Sequence, residues 1–244
     1  MATLKTLLVL ALSLGLAAVS VSASVIFNSP YDGQSPGSAN DQDGVIGMNG
    51  QFDVQSVAFT NISPSNVTVK MDFNYNYGDA TLTPFTDSGI LLSPADLLFS
   101  NGSQMWGIAL ASRPGFTAGD LYSVDGFLSA GQVLGFPAAT YNPSDLVWME
   151  NDGSQTLAGV GTANTVSIGG DEVQTTLSFT PNAGFYSALT SGKTVVDFSS
   201  ATCANDYLTG TIPATTVPEP GAFTLLGTGL AGLTLLPCLR RRRR

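Results

Sequence analysis

Between two apolar terminal segments, short runs of alternating apolar and polar residues follow one another along the chain. In the clearest run, 66–76, apolar side chains occupy every second position: Val67, Val69, Met71, Phe73 and Tyr75. Because successive side chains of a strand point to opposite faces, this run predicts a strand with one buried and one wet face. Comparable runs rich in β-branched and aromatic residues predict further strands. They cover 52–61, 105–111, 145–150, 165–170, 172–180, 194–200 and 206–212.

The separators between these runs are clusters of Gly, Asn, Asp, Ser and Pro, which are the residues of turns. The central region has no long helical period; only 94–99 and 141–148 favour the start of a helical turn. Many short strands with regular turns are typical of all-β domains. We therefore predict an all-β fold, an antiparallel, jelly-roll-like β-sandwich, over 24–212.

The N-terminal segment has the pattern of a secretory signal peptide. Lys5 precedes an apolar stretch from Leu7 to Val19, and small residues follow it. The sequence Val21-Ser22-Ala23 predicts cleavage after Ala23, which makes 1–23 the signal peptide. The alternative is a buried N-terminal helix, but Lys5 and the small residues fit export better.

Charge separates the central region from the two ends. The whole chain has a formal net charge of −9, yet six of its nine basic residues are Lys5 and Arg240–Arg244. Lys70, Arg113 and Lys193 remain in the central region, against seventeen acidic residues, so its formal charge is −14. An acidic surface of this kind repels phosphate backbones, and we expect no nucleic-acid partner.

The C-terminal segment combines a linker, an apolar run and a basic end. Three prolines within 213–221 predict an extended linker. Residues 222–239 are eighteen uncharged residues, and a helix of that length is about 27 Å long, close to the hydrocarbon thickness of a membrane. We therefore predict a transmembrane helix over 222–239, with Arg240, Arg241, Arg242, Arg243 and Arg244 as a cytoplasmic cluster at 240–244 that stops and orients the chain in the membrane. The alternative is a core β-hairpin with a basic end.

Pro218-Glu219-Pro220, the apolar run and the terminal arginines together resemble the PEP-CTERM sorting domain of exported bacterial proteins. The resemblance covers about the last 28 residues. It implies sorting by an exosortase, a membrane protease that recognises Pro218, Glu219 and Pro220. It also implies a precursor transiently anchored in the inner membrane and a mature protein at the cell surface or outside the cell. Exopolysaccharide is a second partner that such tails suggest.

The residues of the central region offer little catalytic chemistry. Histidine is absent, which removes the usual base of Ser and Cys hydrolases. Cys203 is the one cysteine outside the apolar tail; we interpret it as a small buried residue, with a reactive or intermolecular role as the alternative. Glu150 and Glu172 are the two glutamates that a glycosidase would draw on, but strand or turn positions in contact with solvent explain them better.

Two further groups of residues suggest ligands. Asp41 and Asp43 lie in an oxygen-rich turn before Gly44 that is compatible with calcium, although its spacing is not that of an EF-hand and a plain Asx turn explains it as well. Trp106 and Trp148 are candidates for stacking on sugar rings, with core packing as the alternative. We expect no other metal or cofactor.

These features predict an exported, non-catalytic protein with a structural or adhesive role at the cell surface or in the extracellular matrix. The alternative is a carbohydrate-binding module for exopolysaccharide, stabilised by calcium. A glycoside-active enzyme is a third hypothesis, which depends on Glu150 or Glu172.

Overall fold

In the computed structural model of the chain, the described residues are 25–28, 53–74, 85–87, 90–135, 144–169, 172–202, 204 and 206–214. All of them belong to one compact unit that spans 22–215. The predicted signal peptide, sorting motif, membrane helix and arginine cluster lie outside the described residues. Among the described residues, no helix has the length and apolar composition needed to cross a membrane.

The described residues form β-strands and two short helices, which we number in chain order. The first strands are β1 (Val25–Asn28), β2 (Val54–Ile62), β3 (Val67–Phe73), β4 (Phe85–Asp87), β5 (Ile90–Leu92), β6 (Leu97–Ser100), β7 (Met105–Ile108), β8 (Leu121–Val124) and β9 (Phe127–Ser129). They are followed by α1 (Ala130–Leu134), β10 (Leu146–Met149), β11 (Thr156–Gly169), β12 (Glu172–Pro181), α2 (Ala183–Thr190), β13 (Val195–Ser199) and β14 (Tyr207–Thr211).

Ten strands pair in one antiparallel sheet in the order β1-β2-β3-β12-β11-β8-β7-β6-β13-β14. The all-β antiparallel prediction is confirmed. The sandwich of two separate sheets is corrected to one continuous sheet that coils, as twisted sheets of this size do. Coiling brings its two end strands together: Gly210 of β14 lies so close to the ring of Phe27 in β1 that any side chain at position 210 would overlap it.

The main core lies on the inner face of this sheet. It is rich in aromatic rings that meet edge to face, such as Phe73 with Phe198 at a centroid distance of 5.4 Å. The predicted alternation of β3 is confirmed, since its apolar side chains are buried and its polar ones are not. The largest fully buried side chains include Phe59, Phe73, Phe99, Trp106, Phe179, Phe185 and Phe198.

A two-stranded sheet of β9 and β10 lies against the main sheet and packs on β6 and β13. It encloses a second, smaller apolar cluster: Leu98, Ala109, Phe116, Tyr122, Val124 and Met149. Gly107 makes room for Met149, because a Cβ at that position would lie 2.6 Å from Met149 Cγ. The sheet of β9 and β10 therefore covers the outer face of the short strands β6, β7 and β8.

The helices differ from those expected. The apolar part of 94–99 forms strand β6, and that of 141–148 enters strand β10, so both predicted helical turns are wrong there. Pairing with β13 and β9 overrides the local preference. Helix α2 follows the turn after β12, where Asn182 caps it by accepting a hydrogen bond from the Phe185 N–H at 2.8 Å.

Candidate binding surface

The outer face of the four adjacent strands β2, β3, β12 and β11 carries polar, mostly uncharged side chains in cross-strand rows. One row runs Ala58, Lys70, Thr176, Asn164, and the next runs Ser56, Asp72, Gln174, Val166. A third joins Thr68, Ser178 and Thr162. These side chains are partly or fully exposed. We call this set of residues the polar face.

Hydrogen bonds between strands hold part of the polar face in place. Asp72 accepts hydrogen bonds from Ser56 Oγ at 3.1 Å and from Gln174 Nε2 at 2.8 Å. At the next row, Asn66 donates to Thr68 Oγ1 and accepts from Ser178 Oγ, each at 3.0 Å. These hydroxyl and amide groups, on Ser56, Gln174, Thr68 and Ser178, are therefore held in place by the protein, which lowers the entropy lost if they bind a ligand.

The electrostatics of the polar face differ from those of the central region as a whole. Its rows hold one cation, Lys70, and one anion, Asp72, in a region of formal charge −14. The other row positions are hydroxyls, amides and small apolar groups, which can donate and accept hydrogen bonds without a net field. This chemistry fits a neutral, hydroxyl-rich ligand.

Arg113 and Asp96 form a buried ion pair away from the polar face, in contact with Trp148 and Met149 of β10. Arg113 donates to both carboxylate oxygens of Asp96, at 2.8 Å to Oδ1, and the Asp96 side chain is fully buried. The guanidinium also lies between two rings, 4.5 Å from the centre of Phe116 and 4.8 Å from the centre of Trp148. The backbone N–H of Met149 donates to Asp96 at 2.8 Å, so the pair ties β6 to β10.

A tight turn places Arg113 against Phe116. The two residues exchange backbone hydrogen bonds of 3.0 and 2.9 Å, and Gly115 between them has a φ of +84°. Pro114 followed by Gly115 suits such a turn, because proline presets the first central φ and glycine accepts the positive second one. Proline and glycine here indicated only a separator in the sequence, so the role of Arg113 was missed.

Burial raises the pKa of Asp96, and the charge and hydrogen bonds of Arg113 oppose that rise. The two-pronged hydrogen bond from Arg113 is the geometry of an ionised carboxylate with its counter-charge. Both carboxylate oxygens of Asp96 accept hydrogen bonds from protein groups. The arrangement therefore suits a structural ion pair that links β6 to β10 (the Arg113–Asp96 clasp) better than a reactive centre.

Two further aspartates, Asp145 just before β10 and Asp197 in β13, lie close enough for their charges to interact. Burial raises the pKa of Asp197, while hydrogen bonds from Thr209 and Tyr207 lower it. Burial and the nearby Asp197 charge raise the pKa of Asp145, whose Oδ2 atom is buried without a hydrogen-bond partner. The pKa of Tyr207 is raised by the same burial and charges, which keeps its hydroxyl a donor to Asp197.

The two tryptophans predicted to stack on sugar rings lie in different surroundings. Trp106 is 2% exposed and packs edge to face on Phe185 at 5.4 Å, so the prediction that it binds a ligand is wrong. Its position on the inner face of β7 directs it into the core. Trp148 is partly buried, donates to the Pro94 carbonyl at 2.9 Å, and has Arg113 over its ring.

The two glutamates lie in different parts of the fold. Glu150 follows β10, and its backbone N–H donates to the Gly126 carbonyl at 3.0 Å. Glu172 begins β12 and accepts a hydrogen bond from Gln55 at 3.0 Å.

The predicted calcium turn at Asp41 and Asp43 lies outside the described residues, as do Cys203 and the cleavage position Ala23. Within the described part of the chain, no group of three or more acidic, cysteine or histidine side chains is arranged to hold a metal ion.

The chain matches no protein-family model, no curated protein and no solved structure. A functional proposal therefore depends on the terminal sequence patterns and on the surfaces of this fold.

Proposed function

We propose that this protein is an exported, non-catalytic component of the bacterial cell surface or extracellular matrix, sorted by an exosortase. The observation that carries the proposal is the order of elements in the last part of the chain. Pro218-Glu219-Pro220 precedes eighteen uncharged residues, which Arg240–Arg244 follow. A helix over 222–239 would hold the precursor in the inner membrane, with the arginines on the cytoplasmic side.

The described region supports a structural or adhesive role. Its buried ion pair is fully engaged within the protein, and the polar face is open to solvent. Rows of exposed hydroxyls and amides across a sheet suit contact with a polymer more than chemistry on a small substrate.

Changing Pro218, Glu219 and Pro220 together to alanine should leave the full-length chain in the inner membrane. The alanines would remove the extended, hydrogen-bond-poor segment that a protease binds. Cell fractionation with intact-mass measurement reports both the location and the processing. The matched variant changes Arg240–Arg244 to serine, for which we expect normal export but impaired sorting. Normal processing of the alanine variant would contradict the exosortase proposal.

The second candidate function is binding of a neutral polysaccharide, and the polar face is the observation that favours it. With Trp106 in the core, hydrogen bonding rather than ring stacking would supply the contacts.

We expect Thr162→Val and Thr176→Val together to weaken binding to a neutral polysaccharide by about tenfold, because each change removes one hydroxyl worth about 0.5–1.5 kcal/mol. Both side chains lie on the outer face, so the fold should survive. Affinity electrophoresis in dextran and galactomannan gels measures the effect, with alginate as the anionic comparison and Thr190→Val, on α2, as the control variant. Equal retardation in alginate, or none in any gel, would count against this candidate.

A further inference from the structure

Strand β11 extends well beyond its neighbour on one side. It pairs with β12 over Gly159–Gly169, but with β8 only over Thr156–Gly159. The turn before β8 covers the next positions, because Asp120 accepts a hydrogen bond from the Gly161 N–H at 2.9 Å and Gly119 packs on the backbone of Thr162 and Ala163. From Asn164 onward, no described strand pairs with β11 on this side.

The direction of the backbone groups along this edge follows from two hydrogen bonds. The Ala158 carbonyl accepts from Asn182, beyond the end of β12, whereas the Gly161 N–H donates to Asp120 on the opposite side. Because backbone groups alternate sides along a strand, even-numbered residues bond to β12 and odd-numbered ones point away from it, up to Ser167; between Ser167 and Gly169 the register shifts. The N–H and C=O of Thr165 and Ser167 therefore form an open edge, to which no strand in the described part of the chain is bonded.

The same strand carries most of the exposed large apolar side chains of the described region. Four of the five lie on β11, and the fifth is Ile26 of β1. The exposed fractions at the open edge are 43% for Val166 and 48% for Ile168. β11 also contains no charged residue and no proline, which are the residues that natural proteins use to block edge pairing.

The distribution of charge on the chain favours a second copy of β11 as the strand that pairs with this edge. Two copies of a chain with a formal charge of −9 repel each other over most of their surfaces, and an uncharged strand is where they can approach at least cost. A strand edge is also complementary to itself, because two identical antiparallel strands related by a twofold axis satisfy each other's backbone groups.

We propose that β11 pairs edge to edge with β11 of a second copy of this chain, over Thr165–Ser167. With the twofold axis at Val166, Thr165 of each copy faces Ser167 of the other, and these two residue pairs exchange four backbone hydrogen bonds. The two Val166 side chains then lie side by side on the outer face. The pairing joins two polar faces into one surface twice as wide.

Proline at Ser167 tests the pairing with little change to the fold. Ser167 is exposed, and its N–H points away from β12, so Ser167→Pro removes a donor from the open edge and leaves the β12 ladder intact. Ser167→Ala is the matched control. Val166→Lys with Ile168→Lys adds charge to the edge, and Ile26→Lys makes the same change at an exposed apolar site on β1.

The full-length chain in a nonionic detergent is examined by sedimentation equilibrium. We expect a concentration-dependent dimer for the unaltered chain, Ser167→Ala and Ile26→Lys. We expect Ser167→Pro and the double lysine variant to dimerise at least about tenfold more weakly. A monomer at all concentrations up to about 100 µM would overturn the proposal. So would a Ser167→Pro chain that dimerises as well as Ser167→Ala, or an equal loss in Ile26→Lys.

Amide hydrogen exchange supplies a test that needs no variant. In a self-paired edge, exchange in 161–169 slows as protein concentration rises, while exchange in β3 stays constant. An exchange rate in 161–169 that does not depend on concentration would contradict the proposal.

Discussion

Replacing Arg113 with methionine is expected to lower the free energy of unfolding by about 3–5 kcal/mol, because the change leaves the buried Asp96 carboxylate without its counter-charge. Methionine keeps much of the apolar contact with Phe116 and Trp148, so the loss reports mainly on the ion pair. Chemical unfolding of the full-length chain in a nonionic detergent, followed by tryptophan fluorescence, measures it.

The penalty in Arg113→Met should depend on pH. Burial already raises the pKa of Asp96, and removing Arg113 takes away the charge that opposes that rise. The folded variant then binds a proton that the unfolded chain releases, so its stability falls as pH rises through the folded pKa of Asp96. Acidification from neutral pH toward the ordinary Asp range should recover part of the loss.

Two variants separate the ion pair from general effects of charge. Lys193→Met removes one positive charge from an exposed position and should change stability by no more than about 0.5 kcal/mol. Arg113→Lys keeps the charge but loses the two-pronged hydrogen bond, so an intermediate loss is expected. A loss below about 1 kcal/mol in Arg113→Met would show that the clasp adds little to stability.

The strands were predictable because a two-residue period is a local property of the sequence. β3 shows it best, with Val67, Val69, Met71 and Phe73 all buried as the alternation required. Sheet order is not local: β12 pairs with β3, about a hundred positions earlier in the chain, and only the folded backbone reveals that register.

The same limit applies to the surfaces. Alternation marked Lys70 and Asp72 as wet positions, but it could not show that Gln174 and Asn164 extend the same rows on neighbouring strands. Nor could it distinguish Trp106 from a surface tryptophan, since aromatic residues favour strand positions on either face. The side of β7 that faces the core depends on the coiling of the whole sheet.

Helix α2 was missed for a related reason. Its eight residues are too few to show a helical period, and Asn182 reads equally well as a turn residue or as a helix cap. What selects the helix is the tertiary position of Phe185, which is fully buried among Phe99, Trp106 and Phe179.

Phe185→Ala is accordingly expected to cost about 3–5 kcal/mol of unfolding free energy, the range for removing a buried phenylalanine ring. The ring centre lies 5.1 Å from that of Phe99 and 5.4 Å from that of Trp106, so the change opens a cavity between β6, β7 and α2. Thermal unfolding followed by near-ultraviolet circular dichroism measures the loss.

Two variants of the same helix show whether the ring or the helix matters. Ser187→Ala, at an exposed position, should have little effect, and Asn182→Ala should cost about 0.5–2 kcal/mol through loss of the cap. If the ring closes the core, Phe185→Ala must cost clearly more than Asn182→Ala, because the cap variant keeps every aromatic contact. Equal losses would mean that α2 contributes through its backbone alone, and that the inner face of the sheet is closed by the strands themselves.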